Sequence, residues 1–396
     1  PGPVAMSANW EFGVGHARGE YVLVIGDDDA LLPHALGALD RLVRDTGAKA
    51  IRWETAYYTW PDVALAGQGN YLRVPLGRGR RERSGAAAIA AVAASREIYT
   101  ELPMLYNAAV HRDVLADLRA RQGGRVFPHP IPDVYSGFAV AHAAGTFLSV
   151  GAPMSVAGQS GASNGIATLF HRGRSAIDRE FHALNAQDGF RHEPTVPDVP
   201  AFPHVPVADA FAAAKRLLFP DLPAEVDRRE LCRGCVALAR VPAEGWPELL
   251  ATVRASLADD PALVAWFDDE LAGAPHVPLA PPQVGPERLG FDGSHLHLYA
   301  SAFGVSDVAG AAAVCERVLN YRAGGIRYDD GAASGVSHQL VELDVQLRRQ
   351  LQGLEAQRAH IRDLTARLER HDRLARRSVL RKVADRLLSR RAAGSA

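Results

Sequence analysis

Along the first 170 residues, apolar positions fall into blocks whose period alternates between that of a strand and that of a helix. Tyr21 to Ile25 is a run of five apolar or aromatic residues and predicts a buried strand. Pro33 to Thr46 follows with helical spacing, Leu36, Leu39, Leu42 and Val43 lying on one face. "AKAIRWETAYYTW", rich in β-branched and aromatic residues, predicts a second strand. A helical stretch begins at Arg83, and "PMLYNAAVHRDVLADLRARQG" predicts a short strand and then a helix stopped by Gly123–Gly124. "FPHPIPDVYSGFAVAHAAG" reads as a proline-punctuated loop running into an apolar helix. This alternation predicts an α/β domain with a largely parallel sheet over residues 1–174.

Beyond it the pattern changes. "HEPTVPDVPAFPHVPV", from His192, reads as an extended linker or surface strap. Ala208 to Leu271 gives several amphipathic helical patterns, "GAPHVPLAPPQVGP" a second break, and Ala309 to Leu319 a short helix. Residues 175–335 are therefore expected to form a mainly helical accessory region. From 336 to 372, Leu340, Leu347, Leu354, Ile361 and Leu368 recur every seven residues, and Leu343 and Leu364 fill two of the matching d positions. Gln350, Gln357 and His371 occupy the other d positions, so this is a short, imperfect coiled coil. In the tail, 373–396, eight basic residues between Arg373 and Arg391 face a single acidic one, Asp385, with Val379, Leu380, Val383, Leu387 and Leu388 as an apolar stripe.

Composition narrows the class. The chain has 396 residues, 47% of them hydrophobic, which permits a sizeable core. No apolar run approaches a membrane span. Three cysteines argue against a disulfide framework and fit a reducing, cytoplasmic setting. The formal charge of -1 conceals the basic tail. That tail has two readings: a membrane-facing helix on anionic lipid after a dimerising coiled coil, or a solvated charged helix. The absence of aromatics from it argues against nucleic acid. No G-x-S-x-G, Walker or dinucleotide fingerprint occurs.

The informative chemistry sits where the first strand ends, at "GDDD". Two carboxylates about 4 Å apart repel by roughly 4 kcal/mol at an effective dielectric near 20. Three in succession at an apolar strand end call for a counter-charge, and hard oxygen donors suit Mg²⁺ or Mn²⁺. The plain alternative is a helix cap, for which one aspartate suffices.

"MSANWEFGVGHARGEYVLVIGDDDALLPHALGALDRLV" resembles the central part of family 2 glycosyltransferases of the GT-A fold. In that family an Asn-bearing helix and a closing "A-x-G-E-Y" lead into a hydrophobic strand that ends in a D-x-D-type motif, with a proline before the next helix. Ala17, Gly19, Glu20, Tyr21, Asp27, Asp28, Asp29 and Pro33 match. The resemblance implies a partial GT-A, Rossmann-like sheet and transfer of a sugar from a nucleotide sugar to a glycan or lipid-linked acceptor. It places Asp27 and Asp28 against the ribose and diphosphate of the donor. The metal would fall to Asp29 together with Asp27 or Asp28. A general base for inversion would stand about a hundred residues further on, where Asp133 lies among Ile131, Pro132, Val134 and Tyr135; a helix cap is the plain alternative there. "GQSGASNGIATLFHRGR" has the composition of a closing loop, in which Asn164 and Arg172 would meet phosphate and His171 the metal, unless the loop is simply solvated.

The family's opening strands, with a P-x-Y-N-like signature and an Asp-terminated second strand, are not found here, and the chain enters the strand pattern soon after Pro1. A fragment lacking those strands is the expectation, with the reaction belonging to the intact protein. Two other readings stay open: a non-catalytic scaffold of a glycan-assembly complex, and another metal-dependent nucleotide-processing enzyme such as a nucleotidyltransferase. Elsewhere, Tyr106 and Asn107 suit either an acceptor side or a core strand. Cys232–Cys235 reads as a half-buried pair rather than a zinc site. His295 and His297 alternate as on a strand and suit either ligands or one polar face.

Overall fold

A computed structural model of the protein describes residues 2–63, 67–162, 176–239, 241–276 and 289–319. The heptad segment 336–372, the basic tail 373–396, Asn164, His171 and Arg172 lie outside the described residues.

The described residues among the first 162 carry five α-helices and nine strands. They are α1 (Met6–His16), β1 (Tyr21–Val22), β2 (Ala30–Leu31), α2 (Ala35–Thr46), β3 (Ala50–Trp53), β4 (Ala56–Thr59), β5 (Tyr71–Pro75), β6 (Arg80–Ser84), α3 (Gly85–Ala93), β7 (Ala108–His111), α4 (Arg112–Arg121), α5 (Pro132–Ala144), β8 (Thr146–Val150) and β9 (Ser155–Gln159). Beyond residue 175 come α6 (Ala176–Gln187), α7 (His204–Leu218), α8 (Arg228–Leu238), α9 (Trp246–Ala255), α10 (Pro261–Glu270), β10 (Gly290–Phe291), β11 (His295–Tyr299) and α11 (Val308–Leu319).

Two mixed sheets result. The first has the order β1-β7-β3-β8-β6 and the second β10-β11-β5-β4-β9-β2. The expectation of a largely parallel sheet is corrected: only β3 with β8 and β4 with β9 pair in parallel among the described strands. The reason is an interposed strand. β1, β3 and β8 do run in one direction, but β7 inserts antiparallel between β1 and β3, and β6 pairs antiparallel with β8. An apolar run announces a strand and says nothing of its direction. "AKAIRWETAYYTW" likewise holds two strands, since β3 joins the first sheet and β4 the second. The same crossing occurs from β1 to β2 and from β8 to β9.

α2 follows from its amphipathic spacing, with Ala35, Ala38, Leu39 and Leu42 buried and Gly47 closing it at φ 63° in the left-handed region. α5 is apolar nearly all round and buried nearly all round, Pro132 and Val134 to Ala141 being out of solvent. It packs against α3, α4 and α7, with Phe138 edge-on to Phe211. The proline-rich stretch from His192 is more than a surface strap: Val196, Val199 and Ala201 are buried beside Cys232, Cys235 and Trp246 in a core of their own. The accessory region also supplies β11, which pairs along β5 over five residues from His295 opposite Pro75 to Tyr299 opposite Tyr71.

Candidate active site

The three aspartates occupy the loop where the chain leaves β1 in the first sheet and enters β2 in the second. A tight turn forms there: Asp29 N–H donates to Gly26 O (3.3 Å), and Gly26 N–H donates to Asp29 Oδ2 (2.5 Å). Asp29 Oδ1 accepts from Gly158 N–H (2.8 Å) and from the Tyr106 hydroxyl (2.9 Å). Burial pushes the Asp29 carboxyl up, and these three donors offset that only in part. Asp28 Oδ2 accepts from the N–H (3.3 Å) and hydroxyl (3.2 Å) of Ser160, while its carbonyl accepts from Trp60 Nε1 (3.1 Å). Asp27 is exposed. The turn thus holds one carboxylate inward and presents two outward.

Gly158 in β9 makes this possible. A Cβ there would stand 1.8 Å from the Asp28 carbonyl oxygen and 3.0 Å from Trp60 Nε1, so only glycine lets β9 lie against the acid turn.

Asp133 is the second residue of α5, behind Pro132 and the N-cap Ile131, so it stands in the first turn and not at the cap position. Its Oδ1 is out of solvent and has no hydrogen-bond partner among the described residues. Burial is the largest influence and pushes this carboxyl up, against the N–H groups of the helix start and the nearby His129. Such a group is poised to hold or take a proton.

Leu105 and Tyr106 join the two acidic places. Val24 N–H donates to Leu105 O (2.9 Å), Leu105 N–H to Ser136 Oγ (3.1 Å), and Ser136 Oγ to Asp133 O (2.7 Å). The next side chain, Tyr106, bonds Asp29, and its phenol is raised by burial first and then by the charges of Asp29, Asp28 and Asp133. The structure therefore brings Asp28, Asp29 and Asp133 around one tyrosine. Asn107, buried beneath, donates from Nδ2 to Thr100 O (2.9 Å) and belongs to the core. Sequence reading found the aspartates and missed Gly158, Ser160 and Trp60, whose roles depend on contacts between residues more than 30 positions apart in the chain.

Cys232 and Cys235 are fully buried on α8 rather than half-buried, and burial pushes the Cys232 thiol up to about 11. A cavity of about 430 Å³ bordered by Phe211, Lys215, Arg216 and Arg228 shares no residue with the acid turn. Its cations are already paired, Lys215 with Glu225, Arg216 with Glu193 and Arg228 with Asp259. No helix among the described residues is long and apolar enough to cross a membrane.

No family model matches the chain, and no curated protein matches it. Among solved structures it is similar to S. aureus TarS 1-349, at 12% identity and a TM-score of 0.31 over 84% of this chain and 80% of that one. It is similar also to S. aureus TarS 1-349 in complex with UDP-GlcNAc, at 12% identity and a TM-score of 0.32 over 83% of this chain and 78% of that one. Likeness at that level assigns neither fold nor activity, and the reading of the site rests on its residues.

Proposed function

We propose that the intact protein is an inverting glycosyltransferase of the GT-A kind, moving a sugar from a nucleotide sugar to a hydroxyl of a glycan or lipid-linked acceptor. The observation that carries this reading is the pairing, through Leu105 and Tyr106, of an outward-facing acid turn with a dehydrated carboxyl on a separate helix. An inverting displacement needs a cation-binding edge for the leaving diphosphate and a separate base for the attacking hydroxyl.

The donor set fits a hard divalent cation, Mn²⁺ or Mg²⁺, because it is made of carboxylate oxygens of which Asp27 and Asp28 reach solvent. When bound, such an ion supplies counter-charge to the nucleoside diphosphate as it leaves. Asp27 and Asp28 face that diphosphate and its ion. Asp29 shapes the turn, and its Oδ2, which accepts one hydrogen bond, keeps a lone pair for the same ion. Asn164 and Arg172 are proposed for the phosphates and His171 for the metal. Asp133, whose carboxyl burial raises, is the group proposed to take the acceptor proton. The heptad segment is proposed to dimerise, and the basic tail to rest on anionic lipid.

The test is calorimetric titration of UDP and GDP with Mn²⁺ into this chain and into one extended at its N-terminus, each beside an Asp28→Asn variant. Asp28 is chosen because Asp29 is tied into the fold. Metal-dependent binding that is strong in the extended chain and falls at least tenfold in Asp28→Asn is expected. A folded extended chain that binds neither nucleotide would sink the reading.

A further inference from the structure

The hairpin of β10 and β11 carries a second cluster of chemistry, which the transfer reading does not use. Its turn, Asp292-Gly293-Ser294, places Gly293 at φ 105°, a conformation that favours glycine. Asp292 Oδ1 is consumed by this turn, accepting from Ser294 N–H (2.8 Å), Ser294 Oγ (3.1 Å) and His295 N–H (2.7 Å). The carboxylate is thereby locked, and Oδ2 is turned toward the strand that follows. His295 and His297, two residues apart on β11, lie on one face of it. His297 Nε2 stands 2.7 Å from Asp292 Oδ2, and His295 Nδ1 stands 3.6 Å from the same oxygen. One ligand atom from each of the three residues lies within 4.8 Å of the others.

What distinguishes this cluster from an ordinary polar strand face is the fate of the outer ring nitrogens. His295 Nε2 is 2.7 Å from Glu54 Oε1, and His297 Nδ1 is 2.5 Å from the Tyr71 hydroxyl. Metal-bound imidazoles are held in this way, the far N–H donating to a carboxylate or another oxygen so that the near nitrogen keeps its lone pair. With Nε2–H given to Glu54, His295 Nδ1 carries its lone pair on the Asp292 side, where the Ser294 hydroxyl sits 2.8 Å away. Without a metal, His297 Nε2–H donates to Asp292 Oδ2 and Nδ1 accepts from the Tyr71 hydroxyl; a bound cation would take the place of the Nε2 proton, and the ring's remaining N–H would then stand on Nδ1 facing Tyr71.

We propose that Asp292, His295 and His297 form a zinc site, with Glu54 and Tyr71 as positioning residues. Two imidazoles and one monodentate carboxylate are a borderline nitrogen and oxygen set that suits Zn²⁺. Tetrahedral ligands at Zn–N and Zn–O lengths near 2.0–2.2 Å are roughly 3.3–3.6 Å apart, so the His297–Asp292 contact has only to open by about 0.6–0.9 Å. Asp292 is half-exposed, which leaves a fourth position to water. The site fastens the hairpin turn to β5 through Tyr71 and to Glu54, which stands where the chain passes from the first sheet to the second. This inference is independent of the transfer reading.

The test uses the full chain, stripped with a chelator and titrated with Zn²⁺ in competition with a chromophoric indicator. Co²⁺ substitution serves as the geometric probe. One equivalent per chain and the visible bands of tetrahedral cobalt are expected in the wild type and in Cys232→Ser. Both signals are lost in Asp292→Asn and in His297→Gln, with circular dichroism confirming that each variant is folded. Tyr71→Phe keeps all three ligands and is expected to weaken binding by about 10–100-fold. A wild type that takes up no stoichiometric zinc would overturn the proposal. So would an Asp292→Asn chain that binds zinc as tightly as wild type.

Discussion

At the scale of single residues, the three consecutive aspartates turn out to have unlike situations. Asp29 is enclosed by Gly26, Gly158 and Tyr106, Asp28 leans on Ser160, and Asp27 stands in water. Repulsion among three like charges is relieved by giving the innermost one three donors, and the remaining two are the ones proposed to meet a cation. Gly158→Ala tests how tightly this is built. The new methyl must displace the Asp28 carbonyl, so a loss of about 1–3 kcal/mol in urea denaturation is expected, together with weaker metal-dependent nucleotide binding. Gly79→Ala, which meets nothing within 4 Å and has no positive φ, is the matched control and should leave both unchanged. Asp133→Asn keeps the shape of the side chain and removes its proton-accepting power. In the extended chain it should lower kcat by about 10²–10⁴ while the KM for the donor moves little, as steady-state kinetics would show. A fall in donor affinity of the same size would place Asp133 in binding instead.

At the scale of elements, the helices of the first 150 residues and the strand segments holding β1, β3, β4 and β7 were legible because each obeys its own period and its own stop signals, whereas β2, β5, β6 and β8 were not announced. α2 ends at Gly47, α4 ends just before Gly123–Gly124, and α5 is the apolar helix its sequence announces. Strand direction and sheet membership were not legible. β7 reads like any short apolar strand, yet its antiparallel insertion between β1 and β3 is what puts Leu105 and Tyr106 beside the acid turn. A further tie was also silent in the sequence. Asp209 on α7 is 6% exposed and accepts from His129 Nε2 (3.0 Å) before α5, from His192 Nδ1 (3.2 Å), and from Glu193 N–H (2.8 Å). His129 Nδ1 accepts from Ile131 N–H (3.2 Å), so it is Nε2 that faces Asp209 as the donor.

The His192–Asp209 pair gives the fold a pH window. Burial alone would raise Asp209, but the two histidines outweigh it and hold its carboxyl well below the usual range. Burial alone would lower His192, but the hydrogen bond and charge of Asp209 outweigh it and raise the imidazole. A depressed carboxyl contributes stability above its unfolded pKa, about 3.9, and loses it as pH falls through the folded value. A raised imidazole contributes fully below its unfolded pKa, about 6.5, and loses that contribution as pH rises through the folded value. The stability gap between wild type and His192→Asn should therefore be widest between about pH 4 and 6.5. It should narrow on either side, as thermal melts across a pH series would show. A gap that kept growing above neutrality would contradict the assignment.

At the scale of the molecule, what sequence conveyed was a list of elements and one chemical signal; what it withheld was how distant segments share a sheet. β11, from the part of the chain read as mainly helical, lies along β5 because its alternating His-Leu-His-Leu-Tyr pattern suits a strand with one apolar and one polar face. That pairing places Glu54 and Tyr71 against the two histidines, an arrangement no local spacing could announce.

Among the described strands the chain passes from the first sheet into the second three times, from β1 to β2, β3 to β4 and β8 to β9, and the acid turn is one of those passages. Three stitches along one seam resist shear, so the sheets cannot slip past each other without tearing ladders on both sides. A charged turn sewn into such a seam has its orientation decided when the protein folds. The electric field it presents is then a fixed property of the scaffold, so the proposed cation and diphosphate would ask little reorganisation of it.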